Sequence, residues 1–484
     1  MNRFLVSVGA LLLCAAATAQ QRQTLSFEEA LQLTLTDNPA VQAARYEEEA
    51  ARRERQAAVG LHFPTVSVGG AYTYLGSDVA LDLDLNHLKP AVEGGLQQFV
   101  QSLLPTSPDV AQAVAGLLGP LTGQSWELSY TLQQRSLGFV GGSVTLPIFL
   151  GGKIDIANRM ARLNERSVRE QTAQTRNALV SELVERYFGY TLALQVADVR
   201  RQVLEGMRHH LADAQALEQN GMIAASERLY VEFKVAEAER ELLNAEMQVE
   251  TIRTALGNTV GTSADLLPVT AIFVVEQLEP LAWFQEQAAE RNPLLNQLGY
   301  KQELARQNAR LLRADYFPQI VALGGGTLYN YQVTKLMPRW AVGVGVNFKL
   351  FNGLNREYKH AAARQTALRV ETLREKADQD IAVLIEGLYT RLLNYRNQVA
   401  SIEASMAFAV EYLKSKQTAF LEGMSSSTDL IDAQLNLAKV RVERMQAAYN
   451  YDVALAKLLE AAGMSDAFTD YLLRGAARSI RYDK

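Results

Sequence analysis

The sequence is poor in cysteine: Cys14 is the only one among 484 residues. That excludes an internal disulfide framework and any paired-cysteine metal site. Histidine is scarce as well. His62, His87, His209, His210 and His360 contain no pair spaced by four, so an HExxH-type metal site is absent. Neither a GxSxG elbow nor a Walker A loop occurs. No catalytic residue, cofactor or metal is therefore expected. Positive charge is not in excess: 48 basic residues against 53 acidic ones give a net charge of -5, which offers no field for nucleic acid. Long apolar runs are missing too. Past the N-terminus no stretch of about 20 apolar residues appears, so no transmembrane helix is expected. A mean hydropathy of -0.08 agrees.

What is there begins with an export signal. Residues 1–19 carry Arg3, an apolar run from Phe4 to Leu13, and Ala17-Thr18-Ala19 before Gln20. This is the order of a cleaved signal peptide. Acylation of Cys14 is disfavoured because Leu13 stands where a small residue is wanted. An exported chain without a spanning helix can enter a membrane only as a closed β-barrel.

Proline placement outlines the architecture. None of the 12 prolines lies between Pro147 and Pro268 or beyond Pro338. Proline breaks helices, and these spans are rich in helix formers. Within 153–220, Leu179, Val180, Leu183, Val184, Tyr187, Phe188, Leu192, Val196, Val199 and Val203 recur at helical steps. Ile381, Leu384, Ile385, Leu388 and Leu392 do so within 355–422. Each span would run roughly 100 Å as a helix and needs lateral packing along its length. Returning helices are expected over about 222–258 and 427–462. Ser26-Phe27-Glu28-Glu29 reads as a capping box, and Asn38-Pro39 as a helix restart. Strands are expected at about 64–75, 136–149, 318–331 and 339–351. The last alternates Trp340, Val342, Val344, Val346, Phe348 and Leu350 with Ala341, Gly343, Gly345, Asn347 and Lys349. One apolar face fits either a half-buried sheet or a membrane barrel. Tyr72, Tyr74, Tyr329, Tyr331 and Trp340 are candidates for aromatic girdles.

The chain also repeats itself. Asn38-Pro39 matches Asn292-Pro293, and Phe63-Pro64 matches Phe317-Pro318, both at an offset of 254. Phe149 and Gly151, Gly221-Met222 and Gly261 match Phe351 and Gly353, Gly423-Met424 and Gly463 at an offset of 202. Residues 20–261 and 262–484 are thus read as two copies of a helix, strand, strand, long helix, helix repeat. The change of offset, 254 − 202, is a 52-residue insertion at about 75–126 in the first copy. It reads as a folded loop, or as a surface insertion without a role. Four strands cannot close a barrel, because outer-membrane barrels need at least about eight. The sequence therefore asks for several copies of the chain.

At this point the chain resembles the TolC family of outer-membrane efflux proteins. The carriers are the duplication, the Asn-Pro and Phe-Pro landmarks, and the turn Phe420-Leu421-Glu422-Gly423-Met424-Ser425-Ser426-Ser427-Thr428-Asp429-Leu430-Ile431-Asp432-Ala433. Asn220-Gly221-Met222 to Tyr230 is a weaker copy. The resemblance implies a mainly α fold with a β-barrel portion. A homotrimer would form a 12-stranded outer-membrane barrel, four strands per chain, continued by a periplasmic α-helical barrel. It further implies a passive conduit in a tripartite efflux or type I secretion system. The partners would be outer-membrane lipid, a periplasmic adaptor and an inner-membrane pump of RND, ABC or MFS type. A soluble periplasmic coiled-coil scaffold or adaptor is the alternative.

The helical turns at 220–226 and 422–428 are the expected tips. Asp429 and Asp432 share one helix face at i and i+3. In a trimer they would make an acidic ring that favours cations. With Glu227, the first-copy equivalent of Asp429, they are the expected periplasmic gate. Asp429 also fits a simpler role, stabilising the first turn of its helix. Gly221, Met222, Gly423, Met424 and Ser425 are the expected adaptor-contacting tips. The methionines suit an adaptable surface or hydrophobic closure of the turn. Where well-known members carry the tyrosine and arginine of a closed-state latch, this chain has Phe420 and Ser425, leaving a latch to other groups such as Arg228.

Overall fold

The computed structural model describes residues 23–105, 107–122, 125–262, 264–334, 338–475 and 479–480. The expected signal segment and Cys14 lie outside the described residues. Strand β1 (Gln23–Leu25) leads into helices α1 (Phe27–Asp37) and α2 (Pro39–Gly60), then β2 (Thr65–Tyr74). Next come β3 (Val79–Asp84), α3 (Lys89–Leu103), α4 (Pro108–Thr122), β4 (Glu127–Gln133) and β5 (Ser136–Phe149). Helices α5 (Lys153–Gln219) and α6 (Ala225–Val260) precede two short strands, β6 (Leu266–Pro268) and β7 (Ile272–Phe273). The second passage runs α7 (Leu281–Arg291), α8 (Pro293–Arg313), β8 (Gln319–Tyr331), β9 (Trp340–Asn347), α9 (Asn355–Leu421) and α10 (Ser427–Ala461). Helix α11 (Phe468–Gly475) and β10 (Ser479–Ile480) follow. The chain divides into a helical unit (Met1–Gln56, Asn158–Arg310, Tyr358–Lys484) and a strand unit (Ala57–Ala157, Leu311–Glu357).

The helical unit is held by an aromatic centre. Phe27, Tyr187, Phe188, Phe273 and Phe468 are buried with ring centroids 5.1–6.1 Å apart. The Tyr187 hydroxyl donates to the Leu25 carbonyl at 2.6 Å and accepts from the amides of Val269 and Thr270. It thereby fastens the β1–β6 pair, which is parallel, to α5. The capping box forms as expected, with Ser26 and Glu29 satisfying each other's amides. Both Asn-Pro landmarks make the same contact. Asn38 caps α2 through its Oδ1 and donates Nδ2–H to the Thr259 carbonyl at 2.9 Å, while Asn292 caps α8 and donates to the Ala461 carbonyl at 2.8 Å. In each case one amide joins a helix start to the last turn of a returning helix.

Helices α5 and α9 each run 67 residues. They differ in burial: α5 buries its side chains along most of its length, whereas α9 buries only Ala363, Ile381, Ile385, Leu392, Val399, Ala409 and Phe420. Val383, Leu384 and Phe408 of α9 stand exposed.

The strand unit centres on an antiparallel sheet in the order β2-β5-β8-β9. Pairing in register sorts the side chains by face. One face carries Val66, Val68, Tyr72, Tyr74, Val140, Val144, Tyr329, Tyr331, Trp340, Val342, Val344 and Val346. The other carries Thr65, Ser67, Ala71, Ser143, Thr145, Thr327, Asn330, Ala341, Gly343 and Asn347, interrupted by Leu137, Phe139, Val321 and Leu323. Ser67 and Ser143 bond across it at 2.7 Å. All five expected girdle aromatics share the apolar face; Phe139 alone among the aromatics stands opposite. The Gly324–Gly326 run is strand, as expected: a Cβ on the facing Gly141 would stand 2.8 Å from the Gly326 carbonyl oxygen.

Two details depart from expectation. Strand β9 ends at Asn347, not near residue 351, because its partner β8 starts at Gln319 opposite Asn347, directly after Pro318. The insertion at about 75–126 holds β3, α3 and α4, and β3 pairs antiparallel with β4, which directly follows the insertion. The Trp126 amide donates to Asn86 Oδ1 at 2.8 Å, tying the chain as it enters β4 to the chain as it leaves β3. Among the described residues no helix is long and apolar enough to cross a membrane.

Candidate functional site

The turns that follow α5 and α9 are built alike. After α5, Gly221 takes φ 71° and after α9 Gly423 takes φ 72°, a left-handed conformation that glycine adopts without strain. Gly423 donates to the Phe420 carbonyl and Met424 to that of Ala419; Gly221 donates to Glu218 and Met222 to Leu217. Both are Schellman closures. Met222 and Met424 are 67% and 72% exposed, so neither closes its turn as a hydrophobic plug.

The two turns differ where the next helix starts. Ser426 caps α10, its Oγ accepting from the Asp429 amide at 3.2 Å. The matching residue before α6 is Ala224, which gives no side-chain cap. Behind the cap, Ser427, Leu430, Ile431 and Ala433 are buried. Asp429 and Asp432 fall on the opposite side of α10, and Asp432 is exposed.

Asp429 is more closely held than the sequence indicated. Its Oδ2 accepts from the Ser425 hydroxyl at 3.0 Å and from Lys416 Nζ at 3.1 Å. The Lys416 and Ser425 hydrogen bonds hold its carboxyl below the usual carboxylate range, and the same contact raises the Lys416 ammonium. Asp432 sits near a lysine of the other hairpin, Lys234, whose raised pKa is due first to Glu237, 2.8 Å away, and partly to Asp432. Glu227 lies half-buried in the first turn of α6. Arg228 binds Glu218 at 2.7 Å and Glu232 at 2.6 Å within its own hairpin. Phe420 is buried, with its ring edge-on to His210 at 4.6 Å.

Helices α6 and α10 meet through Val231, Ala238 and Ile431, packed with Leu204 and Met207 of α5. The fold therefore brings the α6 and α10 starts, with Glu227 on one and Asp429 and Asp432 on the other, into one helical cluster. The lysines and His210 were not legible as partners. His210 is 2% exposed, neither ring nitrogen has a hydrogen-bond partner among the described residues, and burial lowers its pKa. Among the described residues no cluster of His, Cys, Asp and Glu could hold a metal ion.

This geometry agrees with known proteins. The sequence profile described as outer membrane efflux protein matches residues 100–262 and 285–464. The alkaline protease secretion protein AprF of Pseudomonas aeruginosa is 22% identical over 322 residues, 63% of this chain. The chain spans 65% of that relative's length. Among solved structures, the Campylobacter jejuni CmeC outer membrane channel superposes with a TM-score of 0.69 at 12% identity, covering 93% of this chain and 89% of that one. The open state of the Neisseria gonorrhoeae MtrE outer membrane channel gives 0.69 at 16% identity, covering 91% and 89%. The fold is that of these channels: a long-helix portion that can contribute to a helical barrel, joined to a four-stranded β portion. The matched profile spans most of the chain, and its family consists of transport components rather than enzymes. The chain belongs to the outer membrane efflux protein family and is an outer-membrane protein.

Proposed function

We propose that three copies of this chain form a passive export duct through the outer membrane, serving a tripartite efflux or type I secretion system. One observation carries the reading. Among the described residues the four-stranded sheet has two unpaired edges, β2 and β9, and one face whose large side chains are mostly exposed valine, tyrosine and tryptophan. Unpaired backbone cannot face hydrocarbon, and four strands cannot close. Pairing β9 of one copy with β2 of the next, three times over, gives twelve strands with the apolar face outward and the face of mostly small and polar residues lining water. The uncovered apolar side chains of α9 ask for neighbours in the same way.

The remaining assignments rest on this frame. Residues 20–261 and 262–484 act as the two structural repeats, and residues 1–19 direct export. The turns at Gly221, Met222, Gly423, Met424 and Ser425 offer exposed, adaptable contact for a periplasmic adaptor, with an inner-membrane pump supplying energy. Asp429, Asp432 and Glu227 form the gate, whose carboxylates favour cations. AprF is named for protease secretion, and CmeC and MtrE are outer membrane channels. A water-filled conduit in this chain would serve secretion and efflux alike.

The test is direct. The mature chain should fractionate with the outer membrane, migrate as a heat-modifiable trimer and conduct ions in planar bilayers. A stable monomer that remains in solution without detergent would overturn the proposal in favour of a soluble scaffold.

A further inference from the structure

We infer that Lys416 is a selectivity-determining residue of the gate, because it cancels the charge of Asp429 and leaves Asp432 to set the preference for cations. The inference rests on the gate reading above. Lys416 lies on α9 a little more than one turn before Phe420, and Asp429 is the third residue of α10. The Schellman turn at Gly423 folds α10 back so that the lysine meets the carboxylate at 3.1 Å. Ser425 completes the contact on the same oxygen, which fixes the carboxylate toward the lysine.

The two groups hold each other in the charged state. The pair lowers the Asp429 pKa and raises that of Lys416, so both stay ionised across the range in which a periplasmic channel works. A permeating ion at this level meets a dipole rather than a free carboxylate. Asp432 differs. Its side chain is exposed on the next turn, and Lys234, on which its charge acts, is committed to Glu237 at 2.8 Å. Of the two aspartates, Asp432 therefore presents the greater uncompensated negative charge. Among the described residues the first hairpin has no such pair: Ala214 stands where Lys416 does, and Arg228 beside Glu227 answers Glu218 and Glu232 instead. The compensation is thus specific to the second turn.

The experiment is the reversal potential of the purified full-length channel in planar bilayers under a potassium chloride gradient. A charge removed within several ångströms of the ion path in water changes an ion's relative permeability about twofold to threefold. Lys416→Met should raise the cation-to-anion ratio by about that factor, and Asp429→Asn should lower it, since it frees the lysine. Asp432→Asn should lower it as well. The double variant Lys416→Met/Asp429→Asn should return to the wild-type ratio, because the lost charges cancel. A purely structural role for the pair predicts otherwise, since the double variant also lacks the contact and would behave like Lys416→Met. Lys416→Gln repeats the test with a polar side chain should the methionine variant fail to assemble. If Asp432→Asn lowers the ratio while Lys416→Met and Lys416→Gln leave it unchanged, the lysine assignment is overturned and the gate stands. If no aspartate variant changes the ratio, the gate reading falls, and the lysine assignment with it.

Discussion

At the residue scale, one costly group in the helical unit is a carboxyl with a single hydrogen-bond partner among the described residues. Asp452 of α10 is fully buried; its Oδ2 accepts from the Phe273 amide at 3.3 Å and its Oδ1 is unsatisfied among the described residues. Burial pushes its pKa well above the ordinary value of 3.8. Between the ordinary value and the raised one, the native state therefore binds a proton that the unfolded state has released. With the folded pKa raised, its contribution is fully present below about pH 3.8 and is lost progressively as pH rises through the folded value. Asp452→Asn keeps an acceptor for Phe273 without the protonation cost. It is expected to stabilise the protein by about 1–3 kcal/mol at pH 7. Thermal denaturation across pH checks this: the gain should shrink toward pH 4, and a gain independent of pH would refute the protonation argument. Nothing in the sequence around Asp452 marked it, because its neighbours Tyr451 and Val453 give no sign that a β7 amide approaches from residue 273.

At the element scale, the junctions before α2 and α8 do two jobs with one side chain. Asn38 and Asn292 each cap a starting helix and satisfy a carbonyl in the last turn of a returning one. Asn38→Ala and Asn292→Ala should each cost about 1–2 kcal/mol, since cap and buried donor are lost together. The two losses should add in thermal unfolding, as they lie in separate junctions. The Asn-Pro pairs were readable as helix restarts because capping is local chemistry. The reach of the same amide to residues 259 and 461 was not, because it depends on how distant helices end. The same division runs through the fold. Proline-free spans and helical periodicity located α5 and α9 to within two residues. Strand β9 was over-extended, because alternation persists through Phe348 and Leu350 whereas pairing stops where β8 begins. At the candidate site, Asp429 and Asp432 were legible from their i, i+3 spacing, while Lys416 became relevant only once the turn brought residues 13 apart into contact.

At the scale of the whole molecule, the sheet makes sense only when closed. In one copy, Val342, Val344 and Val346 are 64–77% exposed, with no cover among the described residues. Lipid supplies that cover if the apolar face points outward. Neighbouring residues on β9 separate the two faces. Val344 points to the apolar side and Gly343, paired with Leu323, to the opposite side, where a Cβ would meet nothing within 4 Å. Val344→Arg should place a charge in hydrocarbon at about 2–4 kcal/mol per copy near the bilayer midplane, three times over in a trimer. It should abolish the heat-modifiable form in outer-membrane fractions. Gly343→Arg should still assemble, since a charge facing a water-filled lumen keeps its hydration, and should shift the channel's selectivity toward anions. A soluble scaffold that buried the valine face against protein would also reject Val344→Arg, but it would have no lumen, so Gly343→Arg would leave no trace in conductance. It is thus the tolerated variant, read by its current, that distinguishes a barrel from a buried sheet.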